Sequence, residues 1–519
     1  MRAVGGNGQA TITFTVPDDQ GGSPITGYEV TVLPDHRTVT GHSSQITITG
    51  LTNGMAYTFI VKAINSVGLS TASVESNAVT PYSPSSDNNG ASPQTPSAPV
   101  RSTTEVEVLV NGKPEQAGIA TTTEENGRTI QTITIDPKKL GDRLQAEGSR
   151  SVIAIPFSTP SDVMIGVLNG QMIKDMEVKQ QTIEIRTEKA TYTLPALQVH
   201  IDAISERIGR EVELEQIEIE IEISEPTEEQ WKVVENAVNQ GEYTLVVPPL
   251  NFSVRGSYGD VTVDVTKFNA YVKRTLAIPD GVDPNKITTG VVVDPNGTVR
   301  HVPTKIDLID GKYYATINSL TNSTYALISN PVAFKDATGH WAEEAVNEMG
   351  SRLVVSGIGD DLYNPNQAIT RAEFAAIIVR AMGLKADRGA TPFSDVRSSD
   401  WYSGAVQTAL AYELINGYED GTFRPQQQIT REQAMVMIAR AMEMTGLSDQ
   451  LPAQDANEVL QAYDDAKQVS VWARDSVADV LQAGIITGRS SSQLAPQAFI
   501  SRAEVAVIVQ RLLQQSELI

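Results

Sequence analysis

Four landmark residues recur three times in the last third of the chain, with the same spacing in each copy. Each copy has a Trp, a Gly 16 residues later, a Pro 24 residues later and an Arg 30 residues later. The copies start 60 and then 71 residues apart, and the 11 extra residues fall outside this framework, around Thr445 to Tyr463. Four landmarks that keep the same register three times are a strong indication of a repeated unit. The landmarks are Trp341, Gly357, Pro365 and Arg371, then Trp401, Gly417, Pro425 and Arg431, then Trp472, Gly488, Pro496 and Arg502.

Each Arg lies in a short motif that predicts the start of a helix. A Thr or Ser precedes the Arg, and a Glu or Gln follows that hydroxyl residue by three positions, before an apolar run. This is the spacing of a capping box, in which both side chains satisfy free backbone N–H groups of the first helical turn. The pairs are Thr370 with Glu373, Thr430 with Gln433, and Ser501 with Glu504.

The capping box does not explain the Arg, because a cation in the first turn opposes the helix macrodipole. One explanation is that the guanidinium and the helix N–H groups together recruit an anion. The other is a salt bridge to an Asp near the start of each copy, namely Asp336, Asp395 or Asp465. We favour the anion. If the Arg binds an anion, replacing it with Ala is expected to change folding stability little or to improve it, whereas loss of a salt bridge would lower stability.

The copies resemble S-layer homology (SLH) modules. The first copy has Phe334-Lys-Asp336, His340-Trp341-Ala342 and Ile369-Thr-Arg-Ala-Glu373. The second has Phe393-Ser-Asp395, Trp401-Tyr402, Gly417-Tyr-Glu-Asp-Gly-Thr-Phe-Arg-Pro425 and Ile429-Thr-Arg-Glu-Gln433. The third has Tyr463-Asp-Asp465, Trp472-Ala473 and Ile500-Ser-Arg-Ala-Glu504. It departs most from the family pattern, because its Gly488-Arg-Ser-Ser-Ser492 loop lacks the usual aromatic-Pro ending.

The resemblance implies an all-α triplet with pseudo-threefold symmetry, whose grooves between adjacent repeats bind a secondary cell-wall polysaccharide with pyruvyl-ketal sugars. The three Arg would hold the pyruvyl carboxylate. A Trp at the start of an amphipathic helix more often belongs to the core, but the resemblance places each Trp on a groove wall, stacked on a sugar. The expected polysaccharide-binding residues are Asp336, Trp341, Gly357, Arg371, Asp395, Trp401, Gly417, Arg431, Asp465, Trp472, Gly488 and Arg502.

Residues 1–81 alternate apolar and polar side chains in short runs, which predicts strands: Thr11 to Val16, Tyr28 to Val32 and Tyr57 to Ala63. Turn residues separate them at 21–24 and at Thr52-Asn-Gly54. Tyr57 just before a long strand is the arrangement of a tyrosine corner. The segment resembles a fibronectin type III domain over its whole length, which implies an all-β sandwich acting as a spacer or interaction module. It departs in having Phe14 where an early-strand Trp is usual, and in a first strand shortened at Met1.

Residues 101–332 are predicted to be an α+β module. Ser151 to Pro156 is expected to be a buried strand, and Ser161-Asp162 to open a helix through Val163, Val167, Met172 and Met176. Thr227 and Gln230 predict a capping box for a helix that stops near Gly241. The region looks like a module found before SLH triplets in long surface proteins of Gram-positive bacteria, and the likeness implies no activity.

The acidic run from Glu211 to Ile223 is the tempting catalytic site, since paired carboxylates hydrolyse glycosides. The simpler interpretation is the solvated face of an amphipathic strand, with Ile217, Ile219, Ile221 and Ile223 on the buried face and a bulge at Gln216. We favour it, because carboxylates that all point into water have nothing apolar to raise the pKa of one of them.

Charge and composition exclude several classes of function. The net charge is −23, which disfavours binding to nucleic acid and to anionic membranes. No apolar stretch approaches the roughly 18 residues of a membrane span. No cofactor or metal site is expected, because Cys is absent and the five His are scattered singly. Nothing at Met1 resembles a signal peptide, so the chain is expected to be a fragment of a longer secreted precursor.

The sequence therefore favours a non-enzymatic, extracellular protein of the cell wall or S-layer, anchored through its repeats. One alternative is a wall-anchored enzyme, such as a glycanase, whose catalytic domain is missing or hidden in residues 101–332. The other is a self-assembling lattice protein. The sequence does not distinguish whether the N-terminal domains bind glycan or protein. The predicted domains are 1–81, a linker at 82–100, the module at 101–332, and repeats at 333–388, 389–446 and 447–519.

Overall fold

The computed structural model of the protein describes residues 1–6, 9–14, 23, 25–41, 45–65, 68–81, 103–209, 211–387 and 389–519. The predicted linker at 82–100 lies outside the described residues. So do Thr15 and Val16 of the first predicted strand, and the turn at 21–24 apart from Ser23. Contacts divide the chain into two compact units, Met1–Ser97 and Ala98–Ile519.

The N-terminal unit consists of two antiparallel sheets around an apolar core. One sheet has the order β1-β2-β5 and the other β4-β3-β6-β7. Tyr28, Val30 and Val32 are buried on one face of β3, as their alternation predicts. The strands are β1 Arg2–Gly6, β2 Gln9–Thr13, β3 Ile25–Leu33, β4 Arg37–Gly41, β5 Gln45–Thr49, β6 Thr58–Asn65 and β7 Gly68–Leu69.

The tyrosine corner predicted at Tyr57 is present. Its ring is buried, and its Oη accepts a hydrogen bond from the backbone N–H of Thr52 at 3.0 Å. Tyr57 also pairs with Val79 across an isolated antiparallel bridge, just before the start of β6.

The described residues of the central region form one mixed sheet of 16 strands and four α-helices. Its strands are β8 Thr103–Val110, β9 Lys113–Glu125, β10 Arg128–Ile135, β11 Val152–Pro156, β12 Val163–Asn169, β13 Thr182–Arg186, β14 Ala190–Pro195, β15 Glu218–Ser224, β16 Thr244–Tyr258, β17 Val261–Asp264, β18 Lys267–Ala277, β19 Thr289–Val293, β20 Val299–Val302, β21 Thr304–Ile309, β22 Lys312–Thr321 and β23 Thr324–Ser329. Its helices are α1 Pro137–Ala146, α2 Gly170–Val178, α3 Ile201–Ile208 and α4 Glu228–Gln240.

The strand order is β20-β19-β23-β16-β15-β12-β10-β9-β8-β11-β13-β14-β18-β22-β21, with β17 paired to β16. Only the pairs β10–β12 and β11–β13 run parallel among the described strands. Short β11, predicted as buried, lies between β8 and β13, and Ile153, Ala154 and Ile155 are buried in it. The predicted capping box of Thr227 and Gln230 starts α4, which is followed by Gly241.

The helix predicted from Asp162 is wrong over its first half. Residues 163–169 form β12, and the helix begins only at Gly170, capped by the side chain of Asn169. Val163 and Val167 fit one face of a helix, but Met164, Gly166 and Leu168 are also buried, because β12 is covered on both faces. A strand buried on both sides loses the period of two that would identify it.

The acidic run forms a strand only from Glu218, in β15 between β12 and β16. Ile217, Ile219, Ile221 and Ile223 have no exposed surface, as predicted. Gln216 ends a 3₁₀ turn rather than forming a bulge. The expectation that no carboxylate is perturbed is also wrong. Burial raises the pKa of Glu220, although Arg255 at 3.5 Å opposes the shift.

The C-terminal region is helical. Its helices are α5 Glu343–Ser351, α6 Arg371–Ala381, α7 Ser403–Ala411, α8 Arg431–Thr445, α9 Ala456–Leu460, α10 Arg474–Gln482 and α11 Arg502–Gln515. Their apolar faces share one core that extends over all three repeats. Across the described residues, no helix of the protein combines the length and apolarity that crossing a membrane requires.

The central sheet packs directly against the first helical repeat. The Tyr271 Oη donates to the carbonyl of Met382 at 2.9 Å, and Arg300 Nη1 donates to the carbonyl of Gly383 at 2.6 Å. Leu320 of β22 is buried within the helical core. Gly383 has φ +64 and no room for a Cβ beside Pro303. The contacts join residues that the sequence assigns to separate domains, and they give the repeats a fixed support.

Candidate functional site: the grooves between helical repeats

The three repeats meet in a ring of backbone hydrogen bonds. Ile369 N–H donates to the Ile500 carbonyl at 3.0 Å, Ile500 N–H to the Ile429 carbonyl at 3.1 Å, and Ile429 N–H to the Ile369 carbonyl at 3.1 Å. All three side chains are fully buried. Because each Ile immediately precedes a capping box, the ring brings the N-termini of α6, α8 and α11 to one place.

All three predicted capping boxes are present. Thr370 and Thr430 each accept a hydrogen bond from the N–H three residues on, and so does Ser501. In return, Glu373, Gln433 and Glu504 each accept from the N–H of the capping residue. The hydroxyl residues therefore act on helix stability, as the sequence predicts.

Each motif Arg reaches across to the next repeat. The three side chains are only 3% to 7% exposed, and each guanidinium donates to two carbonyls of the neighbouring repeat's loop. The bonds run from repeat one to two, from two to three and from three back to one. They are Arg371 to Phe423 at 2.9 Å and Asn416 at 3.2 Å, Arg431 to Leu494 at 3.0 Å and Thr487 at 3.1 Å, and Arg502 to Tyr363 at 2.8 Å and Ser356 at 2.7 Å.

These contacts correct the expectation that replacing the Arg would leave folding stability unchanged. A charge-assisted hydrogen bond contributes roughly 1.5–3 kcal/mol, which exceeds the few tenths gained by removing a cation from a helix N-terminus. Each Arg therefore stabilises the junction between two repeats, whatever else it binds.

The Asp residues do not form the alternative salt bridge. Among the described residues, no carboxylate oxygen of Asp336, Asp395 or Asp465 lies within 4.0 Å of a motif Arg nitrogen. Each instead accepts two backbone N–H groups at 2.7–2.9 Å from its own repeat's loop. Partial burial raises the pKa of Asp336, but these bonds from Tyr363 and Asn364 outweigh it, and the pKa lies below its ordinary value. The Asp fix the loops whose carbonyls the Arg bind.

The repeated Gly are explained by close packing. A Cβ on Gly417 would lie 2.2 Å from the Phe393 ring and 3.0 Å from the Thr422 carbonyl. Gly357 lies against Phe334 and Gly488 against Tyr463 in the same way. Since the ring comes from the Phe-x-Asp or Tyr-x-Asp motif, the Gly holds that motif against the loop.

The Trp side chains are on the surface, so the interpretation of Trp as core is wrong. Trp341, Trp401 and Trp472 are 66%, 67% and 61% exposed. They lie just before α5, α7 and α10, in contrast to the aromatic residue at the start of each family motif, which is mostly buried. Exposed indole rings present a flat apolar face that a sugar ring can cover.

The three Arg differ in their carboxylate partners. Arg431 Nη1 lies 2.6 Å from Glu504 Oε1, and Arg489 binds the same carboxylate at 3.0 Å. Arg502 Nη1 lies 3.3 Å from Glu373 Oε1. Within the described part of the chain, Arg371 has no carboxylate partner. Its guanidinium instead lies over Tyr418 and Phe423, with centroid distances of 5.0 and 4.9 Å.

Burial and ion pairing shift the pKa values of these groups. Burial lowers the pKa of both Arg371 and Arg431. For Glu504, burial raises the pKa, but the hydrogen bonds from Arg489 and Ser501 and the charge of Arg431 bring it below the ordinary value. Burial raises the pKa of Tyr363, beside Arg502, to about 12. Glu504 is therefore ionised at neutral pH, and its carboxylate offsets the positive charge of Arg431 and Arg489 in that groove.

Sequence reasoning missed the residue that follows each landmark Gly. These are Ile358, Tyr418 and Arg489, and the last two contact a motif Arg or its carboxylate partner. The regular spacing of the repeats does single out this position. However, an Ile, a Tyr and an Arg share no chemical property that would have predicted a common role.

A separate cleft of about 930 Å³ lies where the central sheet meets the first two repeats. Phe252, Asp294, Arg300, Leu384 and Tyr412 are among its lining residues. None of the twelve predicted binding residues lines it. Over the described residues, no group of three or more His, Cys, Asp or Glu is placed to hold a metal ion.

Two family models match the chain. The S-layer homology domain matches three times, at residues 333–375, 392–435 and 462–506. The fibronectin type III domain matches residues 1–79. The chain thus carries an N-terminal fibronectin type III domain and three C-terminal SLH domains, as the sequence predicted, and neither family is a catalytic domain.

Several characterised proteins are similar to parts of the chain. An amylopullulanase of Thermoanaerobacterium thermosulfurigenes is 32% identical over 54% of this chain and 14% of its own length. Exoglucanase XynX of Acetivibrio thermocellus is 34% identical over 38% of this chain and 18% of its own. A surface layer protein of Brevibacillus choshinensis is 37% identical over 24% of this chain and 12% of its own.

The chain spans less than a fifth of the length of these relatives. SLH domains in general bind cell-wall polysaccharide and imply cell-wall anchoring. Together with the surface layer relatives, they indicate an extracellular, cell-wall-associated protein.

Proposed function

Since the chain carries three SLH domains, we propose that it anchors a surface protein non-covalently by binding a pyruvylated secondary cell-wall polysaccharide. The observation that carries this proposal is the buried Arg in each groove. A guanidinium that is less than a tenth exposed, at a helix N-terminus, is a donor group suited to a carboxylate.

In this proposal the side chains have separate roles. Arg371, Arg431 and Arg502 donate to the ligand carboxylate. Trp341, Trp401 and Trp472 stack on sugar rings. The Asp and the landmark Gly act indirectly, by fixing the loops that position each Arg.

We also propose that the triplet has pseudo-threefold symmetry. The closed ring of Ile backbone bonds supports it, as do the Arg-to-carbonyl bonds that run in one direction around the three repeats. In a symmetric arrangement, several weakly binding grooves of the protein can contact one repeating polymer at the same time. Their combined affinity then exceeds that of one groove, because the second contact occurs at a high effective concentration.

For the remaining parts of the chain we propose supporting roles. The fibronectin type III domain is a spacer or interaction module. Residues 101–332 are a non-catalytic platform, which the bonds of Tyr271 and Arg300 to the end of α6 support. Turnover of wall glycan or peptide by the full chain would contradict this role.

Co-sedimentation with purified sacculi tests the anchoring function. The full chain is expected to pellet with intact sacculi and to remain in solution once the secondary polymer has been chemically removed. Undiminished binding to stripped sacculi would show that peptidoglycan is the ligand and would overturn the proposal.

A further inference from the structure

The capping-box residue three positions after the cap differs in one of the three repeats. It is Glu373 in the first, Gln433 in the second and Glu504 in the third. Because each motif Arg points to the next repeat, this residue decides whether the Arg of the preceding repeat meets a carboxylate. Glu504 faces Arg431, Glu373 faces Arg502, and Gln433 belongs to the repeat that receives Arg371.

In two grooves, therefore, the motif Arg is already paired with a carboxylate of the protein. We define the Arg431 groove by Arg431, Arg489 and Glu504, and the Arg502 groove by Arg502 and Glu373. In both, the outer edge of the Arg, Nη1, is bound by a carboxylate of the protein. A ligand carboxylate that enters either groove meets a negative charge of its own sign next to the guanidinium, and it must share or displace that partner.

The third groove has no such partner. We define the Arg371 groove by Arg371, Tyr418, Phe423 and Gln433. Arg371 Nε and Nη2 donate to two loop carbonyls, and no acceptor for Nη1 is found among the described residues. Arg371 is only 7% exposed, and among the described residues no carboxylate lies within ion-pairing distance of its guanidinium, so the charge of Asp395 acts on it only from farther away.

The aromatic surroundings of this cation do not neutralise it. The Tyr418 ring lies 5.0 Å from the guanidinium of Arg371 and 3.8 Å from that of Arg424. The charge of Arg424 disfavours that of Arg371, although Arg424 is itself paired with Asp420 at 2.9 Å. Aromatic faces attract a cation but leave its N–H edge available. Gln433 Oε1 is occupied by the Thr430 N–H, as a capping acceptor.

We propose that the Arg371 groove is the principal site for the acidic sugar, and that Gln433 is the residue that selects it over the other two grooves. The inference rests on the proposed function, because it assigns the polysaccharide's anionic group to one groove. It also predicts that a carboxylate at position 433 closes the Arg371 groove as Glu504 closes the Arg431 groove.

Reciprocal substitutions test the assignment in the full chain. Gln433→Glu keeps the capping acceptor and supplies the missing carboxylate. Glu504→Gln keeps the cap, as Gln433 itself demonstrates, and frees Arg431. The probe is a synthetic hexopyranoside with a pyruvate ketal, and its methyl ester is the uncharged control. Calorimetric titration measures both ligands, and thermal melts monitor folding.

The unmodified chain is expected to bind the acid and to bind its ester about tenfold or more weakly, the loss of one charge-assisted bond. Gln433→Glu should weaken binding of the acid by a similar factor without lowering the melting temperature. Glu504→Gln should strengthen it or add a second binding event. Unchanged binding in a folded Gln433→Glu variant would overturn the choice of groove while leaving anchoring intact. A chain that pellets with neither intact nor stripped sacculi would overturn the proposed function and this inference with it.

Discussion

At the scale of single residues, the motif Arg joins two roles that the sequence presents as alternatives. Its Nε and Nη2 stabilise the junction between repeats, and only the Nη1 edge differs from one groove to the next. The capping boxes and the Arg could be predicted because they depend on neighbours within one motif. The loop carbonyls and Tyr418 could not, because their Arg partners come from another repeat, and Arg489 could not, because it reaches Glu504 across a loop of its own repeat.

The exposed Trp should separate binding from folding. Trp401→Ala is expected to change the free energy of unfolding by no more than about 0.5 kcal/mol, since the side chain is 67% exposed. Pelleting with sacculi should fall, because a stacking surface is lost. Trp231→Ala in α4, far along the chain from the grooves, is the matched control. If the control reduces pelleting as much as Trp401→Ala does, the indole is not a ligand platform.

For the landmark Gly we expect the substitution to lower the stability of the fold. Gly417→Ala places a Cβ 2.2 Å from the Phe393 ring, so we expect a loss of about 1–3 kcal/mol of stability. Gly389→Ala, whose nearest neighbour would be 3.7 Å away, should cost little. Chemical denaturation of both variants provides the comparison. Equal midpoints would show that the packing of Gly417 is not tight.

At the scale of elements, the errors of sequence reasoning have physical causes. The helix predicted from Asp162 failed because β12 is buried on both faces, which removes the alternation of a strand. The bulge predicted at Gln216 failed because a 3₁₀ turn precedes β15 and changes the phase of the pattern. The α6, α8 and α11 starts succeeded because each has a complete capping box.

Strand β20 provides a pH-dependent prediction. Burial, together with Arg352 and Arg300, lowers the pKa of His301 from 6.5 to about 3. Between these values the unfolded chain binds a proton that the folded chain does not, so stability falls as the pH decreases below 6.5. The expected contribution is about 1.4 kcal/mol per pH unit.

Trp fluorescence can follow this, because all four Trp lie within the unit from Ala98 to Ile519. Denaturation midpoints at pH 7 and pH 5 should differ less in His301→Gln than in the parent chain. An identical pH dependence in both would show that His301 titrates normally.

At the scale of the whole molecule, the central sheet and the repeats form one compact unit, although the sequence divides them into domains. The repeats could be predicted from their register, but their attachment to β18, β20 and β22 could not. It depends on single long-range contacts, such as the Tyr271 hydrogen bond to Met382.

This attachment predicts a shared unfolding transition. Tyr271→Phe removes a buried hydrogen bond, which is expected to cost about 1 kcal/mol. The loss should lower the midpoint reported by Trp231 in the sheet region and that reported by the repeat Trp alike, measured in single-Trp variants. Tyr258→Phe at an exposed position is the control. A shift confined to Trp231 would show that the two regions unfold independently.

A structure of the full chain with the pyruvylated hexopyranoside bound tests the assignment of Arg371 as the carboxylate donor. We predict that the ligand carboxylate lies within hydrogen-bond distance of Arg371 Nη1 and that Arg371 keeps its two loop carbonyl bonds. A carboxylate placed away from all three motif Arg, or a ligand bound only in the cleft beside Arg300, would contradict it.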